Sequence, residues 1–169
     1  MYRFSTAFTY FITKVVIRFA ELFERELAAH GITLPMYRVL AGLWEKGDQQ
    51  LGELSAMTTV ELSTLSRLIG TMKRNGLVSR ARVESDERSI RLNLTAKGRA
   101  LVPKLMTIAA RYEDFAVQVL GEDEMAIVRR SLTKIFQNLD QFERDMAIPP
   151  PRRRSVRRER TVNRNQRTA

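Results

Sequence analysis

The chain has 169 residues, which is enough for one domain with appendages. Hydrophobic residues make up 44% of it and charged residues 28%, an ordinary composition for a protein with a folded core. No stretch comes near the roughly 18 uncharged apolar residues that a membrane-spanning helix needs, and no signal peptide is indicated. We therefore expect a cytoplasmic protein with no membrane partner.

The cysteine and histidine content excludes several kinds of chemistry. The chain has no cysteine, so disulfides, catalytic thiols, thiolate metal sites and thiol redox sensing are excluded. A single histidine, His30, argues against a histidine-based metal cluster or a catalytic dyad. We expect neither a metal nor another cofactor.

The formal net charge of +10 is concentrated in two parts of the sequence. Residues 60–100 have nine basic side chains against four acidic ones, net +5. The tail from Ala147 has eight arginines against Glu159, net +7, whereas the remaining residues are close to neutral. Such a concentration of positive charge points to a polyanionic partner.

Periodic apolar residues predict four helices in the first half of the chain. Spacings of three and four predict a long first helix over residues 4–27. A second helix is predicted from Thr33 to Gly47, and a short third one over residues 51–57. We expect a capping box between Thr58 and Glu61 to open the fourth helix, which ends at Asn75 and Gly76.

After Gly76 the apolar period changes from that of a helix to that of a strand. Two short strands are predicted over residues 77–83 and 89–94, joined by a charged tip at residues 84–88. Thr95 is expected to cap a long helix that runs to Leu120, and a last helix begins with the acidic residues 122–124. The arginine-rich tail has too few apolar residues to fold.

This layout is mainly α with a small β-hairpin wing, which is a winged helix-turn-helix flanked by N- and C-terminal helices. The terminal helices carry more apolar surface than one chain can cover, so we expect them to pair with the same helices of a second copy. We predict an N-terminal dimerisation helix over residues 1–30 and a DNA-binding domain over residues 31–95. The C-terminal dimerisation helices follow over residues 96–146, and a disordered tail over residues 147–169.

The sequence from Thr33 to Leu101 resembles the MarR family of bacterial transcription regulators. The resemblance is carried by GELSAMTTVELSTLSRLIGTMKRNGLVSR (52–80), the wing SDERSIRLNLT (85–95) and TAKGRAL (95–101). The flanking helices fit the same family, so the resemblance extends over about residues 4–142 and leaves out the tail. It implies a homodimer that inserts the helix beginning near Glu61 into the major groove of a pseudo-palindromic operator.

The residues of that helix support the implied role independently. The face opposite its apolar stripe has short hydroxyl side chains, which allow close approach to bases, and arginines, which bind guanine or phosphate through two hydrogen bonds. On a surface helix taken alone, such a face is more often simply solvated. The short helix before it and the wing after it are what favour a DNA-binding role for this face. The candidate DNA-binding residues are Ser63, Thr64, Ser66, Arg67, Thr71 and Arg74.

The hairpin adds four candidate DNA-binding residues. The resemblance implies that Arg88 enters the minor groove and that Asp86 pairs with Arg67, which would make Arg67 partly a brace. An arginine on a thin hairpin suits a narrow groove with strongly negative potential. Arg82 and Arg91, on the strands, are expected to contact phosphates.

A site for a small ligand is also implied by the resemblance, because family members often bind aromatic acids between the first helices, the long helix and the winged domain. Aromatic residues at helical spacing are, however, more often core, and arginines on helices are more often solvated. The candidate ligand-binding residues are Phe11, Arg18, Tyr37, Trp44 and Tyr112.

We therefore predict a homodimeric, sequence-specific DNA-binding transcriptional regulator, a repressor released by a small effector. The alternative is an architectural DNA-binding protein without an effector, in which the basic tail dominates binding. An enzyme is not expected, since the sequence has no nucleophile paired with a base, no recognisable pair of catalytic acids and no glycine loop for phosphate.

Overall fold

The computed structural model describes the backbone of residues 3–83 and 86–146 and the side chains of residues 3–81 and 90–146. The tail, which was expected to be disordered, lies outside these residues. The elements follow the predicted order, with one additional strand: α1 (Phe8–Ala28), α2 (Leu34–Lys46), β1 (Gln49–Gln50), α3 (Leu51–Thr58), α4 (Leu62–Arg74), β2 (Val78–Val83), β3 (Asp86–Leu94), α5 (Ala96–Val117) and α6 (Glu122–Asp145).

One hydrophobic core joins the winged region to α1 and to the first half of α5. Its fully buried side chains come from α1, from α2 to α5 and from both wing strands. They include Phe23, Leu40, Leu65, Leu92 and Leu105. The chain divides into two compact units between Val119 and Leu120, and this core belongs to the first unit.

The described part of the second unit is α6, which has no buried residue. Gly121 precedes the helix, and its backbone N–H donates to the Glu124 carboxylate at 2.8 Å. The acidic side chains of the first turn lie at the positive end of the helix dipole, where negative charge is stabilising, as the sequence predicted. Most of the apolar side chains of α6 are exposed in this single chain; the exposed ones include Ile127, Ile135, Leu139 and Phe142.

The predicted capping box at the start of α4 is wrong. Thr58 is the last residue of α3, where its buried hydroxyl donates to the Leu54 carbonyl at 2.6 Å. Glu61 itself caps α4, because its carboxylate accepts from the backbone N–H groups of Ser63 at 3.0 Å and Thr64 at 3.1 Å. A carboxylate at the positive end of the helix dipole satisfies both amides, so no hydroxyl cap is needed.

The first helix also begins later than predicted, and α5 ends at Val117, three residues before the predicted Leu120. Residues Phe4–Thr6 form a single 3₁₀ turn, and the backbone at Ala7 is extended before α1 begins. The Thr6 hydroxyl donates to the Arg3 carbonyl at 3.2 Å. Such a local bond offers the backbone an alternative to the helix.

The wing is part of a three-stranded antiparallel sheet with the order β1–β3–β2. The short strand β1 was not predicted, since two consecutive glutamines show no apolar alternation; Gln49 pairs with Leu92. Strand β3 begins at Asp86, three residues earlier than predicted. The register shifts between Arg82 and Val83, so that Val83 pairs with Asp86 and the strand pairing extends further along the hairpin.

The first turn of α5 binds the backbone that connects α4 to β2. The Thr95 N–H donates to the Leu77 carbonyl at 3.1 Å, and the Thr95 hydroxyl lies 2.5 Å from the Gly76 carbonyl. The same hydroxyl accepts from the Gly98 N–H at 3.0 Å, which confirms Thr95 as the cap of α5.

Gly98 allows this approach because it has no side chain. A Cβ atom at this position would lie 2.2 Å from the Leu77 carbonyl oxygen and 3.2 Å from its carbon, which is backbone that cannot swing aside. The start of α5 therefore packs directly on the backbone of the α4–β2 connection.

Gly98→Ala is expected to destabilise the protein by about 1–3 kcal/mol, because a Cβ atom would force α5 away from Leu77. Gly52→Ala is the matched control, since nothing lies within 4 Å of its Cβ position and alanine favours the helix. Urea unfolding at one fixed protein concentration measures both variants. A Gly98→Ala protein as stable as the parent would contradict the packing described here.

Candidate nucleic-acid interface

The two faces of α4 are sharply different. Leu65, Ile69 and Met72 are fully buried against the core, and they fix the rotation of the helix about its axis. The opposite face points into solvent, and the side chains of Ser63, Thr64, Ser66, Arg67, Lys73 and Arg74 on it are exposed. This arrangement presents the predicted hydroxyl and arginine side chains on one surface.

Several of these side chains are held by bonds within the helix. The Arg67 Nε lies 3.5 Å from the Ser63 carbonyl, and the Arg74 guanidinium donates to the Thr71 hydroxyl at 3.0 Å. Thr71 is half-buried, and its hydroxyl lies 3.5 Å from the Arg67 carbonyl. Thr71 therefore holds the Arg74 guanidinium in place, and its own hydroxyl is not presented freely to solvent.

Thr64 and Ser66 are placed differently from Thr71. Both are exposed, and within the described residues neither side-chain hydroxyl is bonded to another group. The Ser63 hydroxyl, in contrast, donates to the Glu61 carboxylate. Thr64 and Ser66 are thus the hydroxyls of α4 best placed to bond a base edge.

The sequence interpretation missed Arg80, which belongs to the same surface. Arg80 follows Val78 on one face of β2, and its guanidinium reaches α4, where Nη2 lies 3.5 Å from the Ser66 carbonyl. Val78 is buried, whereas Arg80 is exposed at the edge of the core. Side chains alternate between the two faces of a strand, so Arg80 shares the face of the buried Val78, which packs towards α4. This alternation is the sequence signal that could have identified Arg80.

Three of the four predicted wing residues lie where only the backbone is described. Arg82 is in β2, and Asp86 and Arg88 are in β3. Their side chains are outside the described residues, so the minor-groove role of Arg88 and the pairing of Asp86 with Arg67 stay predictions.

The structure gives Arg91 protein partners. Its guanidinium lies 3.8 Å from the Asp48 carboxylate and 3.5 Å from that of Glu53. The Asn93 amide donates to the same Asp48 carboxylate at 2.8 Å. These contacts tie β3 to the start of α3, and they make Arg91 a brace for the wing in the DNA-free chain.

Two of the five candidate ligand-binding residues lie together. Arg18 and Tyr112 line a cavity of about 330 Å³ between α1 and α5, with an apolar wall that includes Phe19 and Phe115. Below it, the Glu26 carboxylate accepts from Arg111 at 2.8 Å and from the Tyr112 hydroxyl at 3.1 Å. These two hydrogen bonds hold the pKa of Glu26 below its ordinary value.

The other three candidates are elsewhere. Tyr37 packs edge-on against Phe23, with ring centroids 4.9 Å apart, and lines a separate cleft between α2 and α3. Burial, with a smaller effect from the Glu113 carboxylate, raises the pKa of the Tyr37 phenol. Phe11 and Trp44 are exposed, and neither lines the cavity of Tyr112.

The fold is shared with known regulators. The family model for the transcriptional regulator SarA/Rot, whose fold is a MarR-type winged helix, matches residues 21–105, half of the chain. The chain is a transcriptional regulator of the MarR family. None of its described helices is long and apolar enough to cross a membrane.

Two curated relatives cover most of the same region. YsmB of Bacillus subtilis, an uncharacterised regulator of the helix-turn-helix type, is 32% identical over 64% of this chain and 75% of its own length. The transcriptional repressor IacR of Pseudomonas putida is 27% identical over 78% of both chains.

Three solved structures share the fold of this MarR-family chain. A MarR-family regulator from Silicibacter pomeroyi is 28% identical, with a TM-score of 0.72, over 80% of this chain and 92% of its own. BpsR of Bordetella bronchiseptica, whose DNA binding is regulated by 6-hydroxynicotinic acid, has a TM-score of 0.74 at 22% identity over 80% and 96%. A mutant MarR from E. coli in complex with operator DNA has a TM-score of 0.68 at 23% identity over 74% and 90%.

Arg91→Gln in this MarR-family chain is expected to weaken DNA binding without changing its salt dependence, because Arg91 is paired with carboxylates. Loss of a phosphate contact would instead reduce the slope of log affinity against log salt by about 0.9. Fluorescence anisotropy of a labelled duplex at several salt concentrations measures the slope. Asp48→Asn should likewise weaken binding without changing the slope. Arg74→Gln is the comparison variant, in which the loss of a phosphate contact is expected to reduce the slope. A slope reduced by about 0.9 in Arg91→Gln would show that Arg91 contacts phosphate.

Proposed function

We propose that this regulator is a homodimeric, sequence-specific repressor that binds a pseudo-palindromic operator and is released by a small effector. The observation that carries the DNA-binding part is the exposed hydroxyl and arginine face of α4, which buried leucine, isoleucine and methionine side chains hold in one orientation. A helix so fixed presents its outward side chains to the major groove. The operator complex of E. coli MarR, a protein of the same fold, supports this proposal.

Within α4, Thr64 and Ser66 are proposed to contact base edges, and the arginines to contact guanine or phosphate. Short hydroxyl side chains reach a base only when the helix lies deep in the groove. Both residues are in the N-terminal half of α4, which is the part that contacts bases in helix-turn-helix proteins. Ser63, Arg67, Thr71 and Arg74 complete the proposed surface, and Arg80 extends it onto β2.

The wing is proposed to add minor-groove and phosphate contacts through Arg88 and Arg82. The antiparallel pairing of β2 with β3 carries both residues out along the hairpin. A narrow groove attracts arginine because its electrostatic potential is strongly negative.

Dimerisation is proposed through the terminal helices, residues 1–30 and 96–146, which flank the DNA-binding region over residues 31–95. Phe11 and Val15 on α1 are more than half exposed, at 55% and 66%, and Leu139 and Phe142 on α6 at 60% and 55%. Apolar surface of this extent marks an association site. A second copy of the chain is the proposed partner, because two winged regions match the two half-sites of a palindrome.

Release by an effector is proposed to act through the cavity between α1 and α5. Phe19, Tyr112 and Phe115 give it aromatic walls, and two cationic side chains also line it: Lys14, and Arg18, whose guanidinium is paired with the Glu21 carboxylate at 3.1 Å. This chemistry fits an aromatic acid, and the regulation of BpsR by 6-hydroxynicotinic acid supports the proposal.

Selection from a random duplex library tests the proposed function. We expect a palindrome with half-sites roughly one helical turn apart, bound about 10³-fold or more above random duplex. Uniform, salt-sensitive binding to all duplexes would favour the architectural alternative, for which the net +7 of the tail is the supporting feature.

Substitutions separate the helix from the wing on the selected duplex. Thr64→Ala or Ser66→Ala should reduce the free-energy preference for the contacted base by about 1–3 kcal/mol where a base contact is lost. Arg88→Ala should weaken binding most on duplexes with A·T-rich flanks. If Arg88→Ala binds the selected duplex as tightly as the parent, the proposed role of the wing is wrong.

Leu139→Glu is expected to shift the chain from dimer to monomer at micromolar concentration, since it places a charge in the proposed apolar interface. Ile90→Glu is the matched control, because Ile90 is an exposed apolar residue of the wing. Sedimentation equilibrium measures both variants. A parent chain that is monomeric at this concentration while it binds a palindrome tightly would contradict the dimer.

A further inference from the structure

Glu61 places a negative charge at the edge of the surface that is proposed to read DNA. It immediately precedes α4 and is exposed, one helical turn before Thr64. The charged side chains within α4 itself are all basic, namely Arg67, Lys73 and Arg74. DNA phosphates repel a carboxylate, so Glu61 weakens DNA binding unless its carboxylate gains a hydrogen bond from the DNA.

The backbone of Glu61 is fixed from both sides. Val60 is buried, and its carbonyl accepts from the Ser55 hydroxyl of α3 at 2.7 Å. The Glu61 carbonyl accepts from the Leu65 N–H at 2.8 Å. Val60 and Leu65 both belong to the hydrophobic core, so the core sets the position of Glu61 at the start of α4.

The side chain of Glu61 is held by the first turn of α4. Its Oε2 atom accepts from the backbone N–H groups of Ser63 at 3.0 Å and Thr64 at 3.1 Å, and from the Ser63 hydroxyl. Exposed N–H groups at a helix N-terminus are otherwise a binding site for phosphate. Here a carboxylate already bonds two of these groups and adds negative charge, so this end of α4 disfavours a phosphate group.

The chemistry of a carboxylate restricts the DNA group that it can contact. Its two oxygens accept hydrogen bonds and donate none, and together they can accept about four, so a carboxylate that caps a helix can also bond a base. In the major groove, guanine and thymine present only acceptors, and adenine presents its amino group beside the acceptor N7. Cytosine is the one base that presents a donor, its N4 amino group, with no acceptor beside it.

We propose that Glu61 is a specificity-determining residue, whose carboxylate accepts a hydrogen bond from the N4 amino group of one cytosine in each half-site. This inference rests on the proposed role of α4 in DNA binding. Any other base at that position turns at least one acceptor towards the carboxylate, which is then left near the phosphates without a compensating bond. Glu61 therefore favours the operator and weakens binding to other sequences.

Glu61→Ser removes the carboxylate and keeps a cap on α4, because serine is among the best residues at the N-cap position. Selection from a random duplex library is run in parallel on the parent and the variant. At one position of each half-site, the parent should prefer cytosine about tenfold, and Glu61→Ser should show no preference there. The variant should also bind random duplex more tightly. Glu45→Gln, on an exposed glutamate of α2, makes the same change in net charge and should keep the cytosine preference.

A change in the DNA tests the contact without altering the protein. In the selected duplex, the contacted cytosine is replaced by 2-pyrimidinone, which lacks the amino group. Fluorescence anisotropy should show that the parent loses about tenfold in affinity, whereas Glu61→Ser loses almost nothing. Comparing the two proteins on both duplexes cancels the effect of the analogue on the duplex itself.

Three results would overturn the proposal. Identical base preferences of the parent and Glu61→Ser would show that Glu61 only caps α4, and the proposed role of α4 in DNA binding would stand. Equal losses of both proteins on the 2-pyrimidinone duplex would show that another group binds the amino group. A parent chain that selects no preferred sequence would contradict the proposed function itself, and this inference with it.

Discussion

The close approach of α5 to the backbone between α4 and β2 is the contact on which the rest of the structure depends. Three consecutive carbonyl groups, those of Asn75, Gly76 and Leu77, follow the end of α4 and need partners. The first turn of α5 supplies them through the Lys97 ammonium, the Thr95 hydroxyl and the Thr95 N–H. A helix can come this near only where it has no Cβ atom, and Gly98 is at that point.

This contact links α4 and the wing to the rest of the first unit. Farther along α5, Arg111 and Tyr112 bond the Glu26 carboxylate of α1. The same helix therefore contacts the end of α4 at its start and α1 near its end. The proposed effector cavity borders α5, so a ligand bound there would contact the helix that packs on the α4–β2 connection.

Local sequence patterns predicted most of the elements, but they could not show contacts that only the folded chain decides. The apolar stripe of α4 and the Thr95 cap are local signals, and both predictions are confirmed. Thr58 and Glu61 have the spacing of a capping box, and only the turn between α3 and α4 shows that Thr58 ends α3 while Glu61 caps α4. Local patterns also could not show the partners of Arg91, because Asp48 and Glu53 are about forty residues away in sequence and are brought close by the sheet.

We propose that the exposed face of α4 is the surface that reads DNA. The most direct measurement is an NMR titration of the full chain with a duplex chosen by selection, following the amides and side chains of every element. We expect the largest changes at Thr64, Ser66 and Arg67, with further changes at Arg80 and along the wing. Large changes elsewhere on the chain, with α4 unaffected, would contradict it.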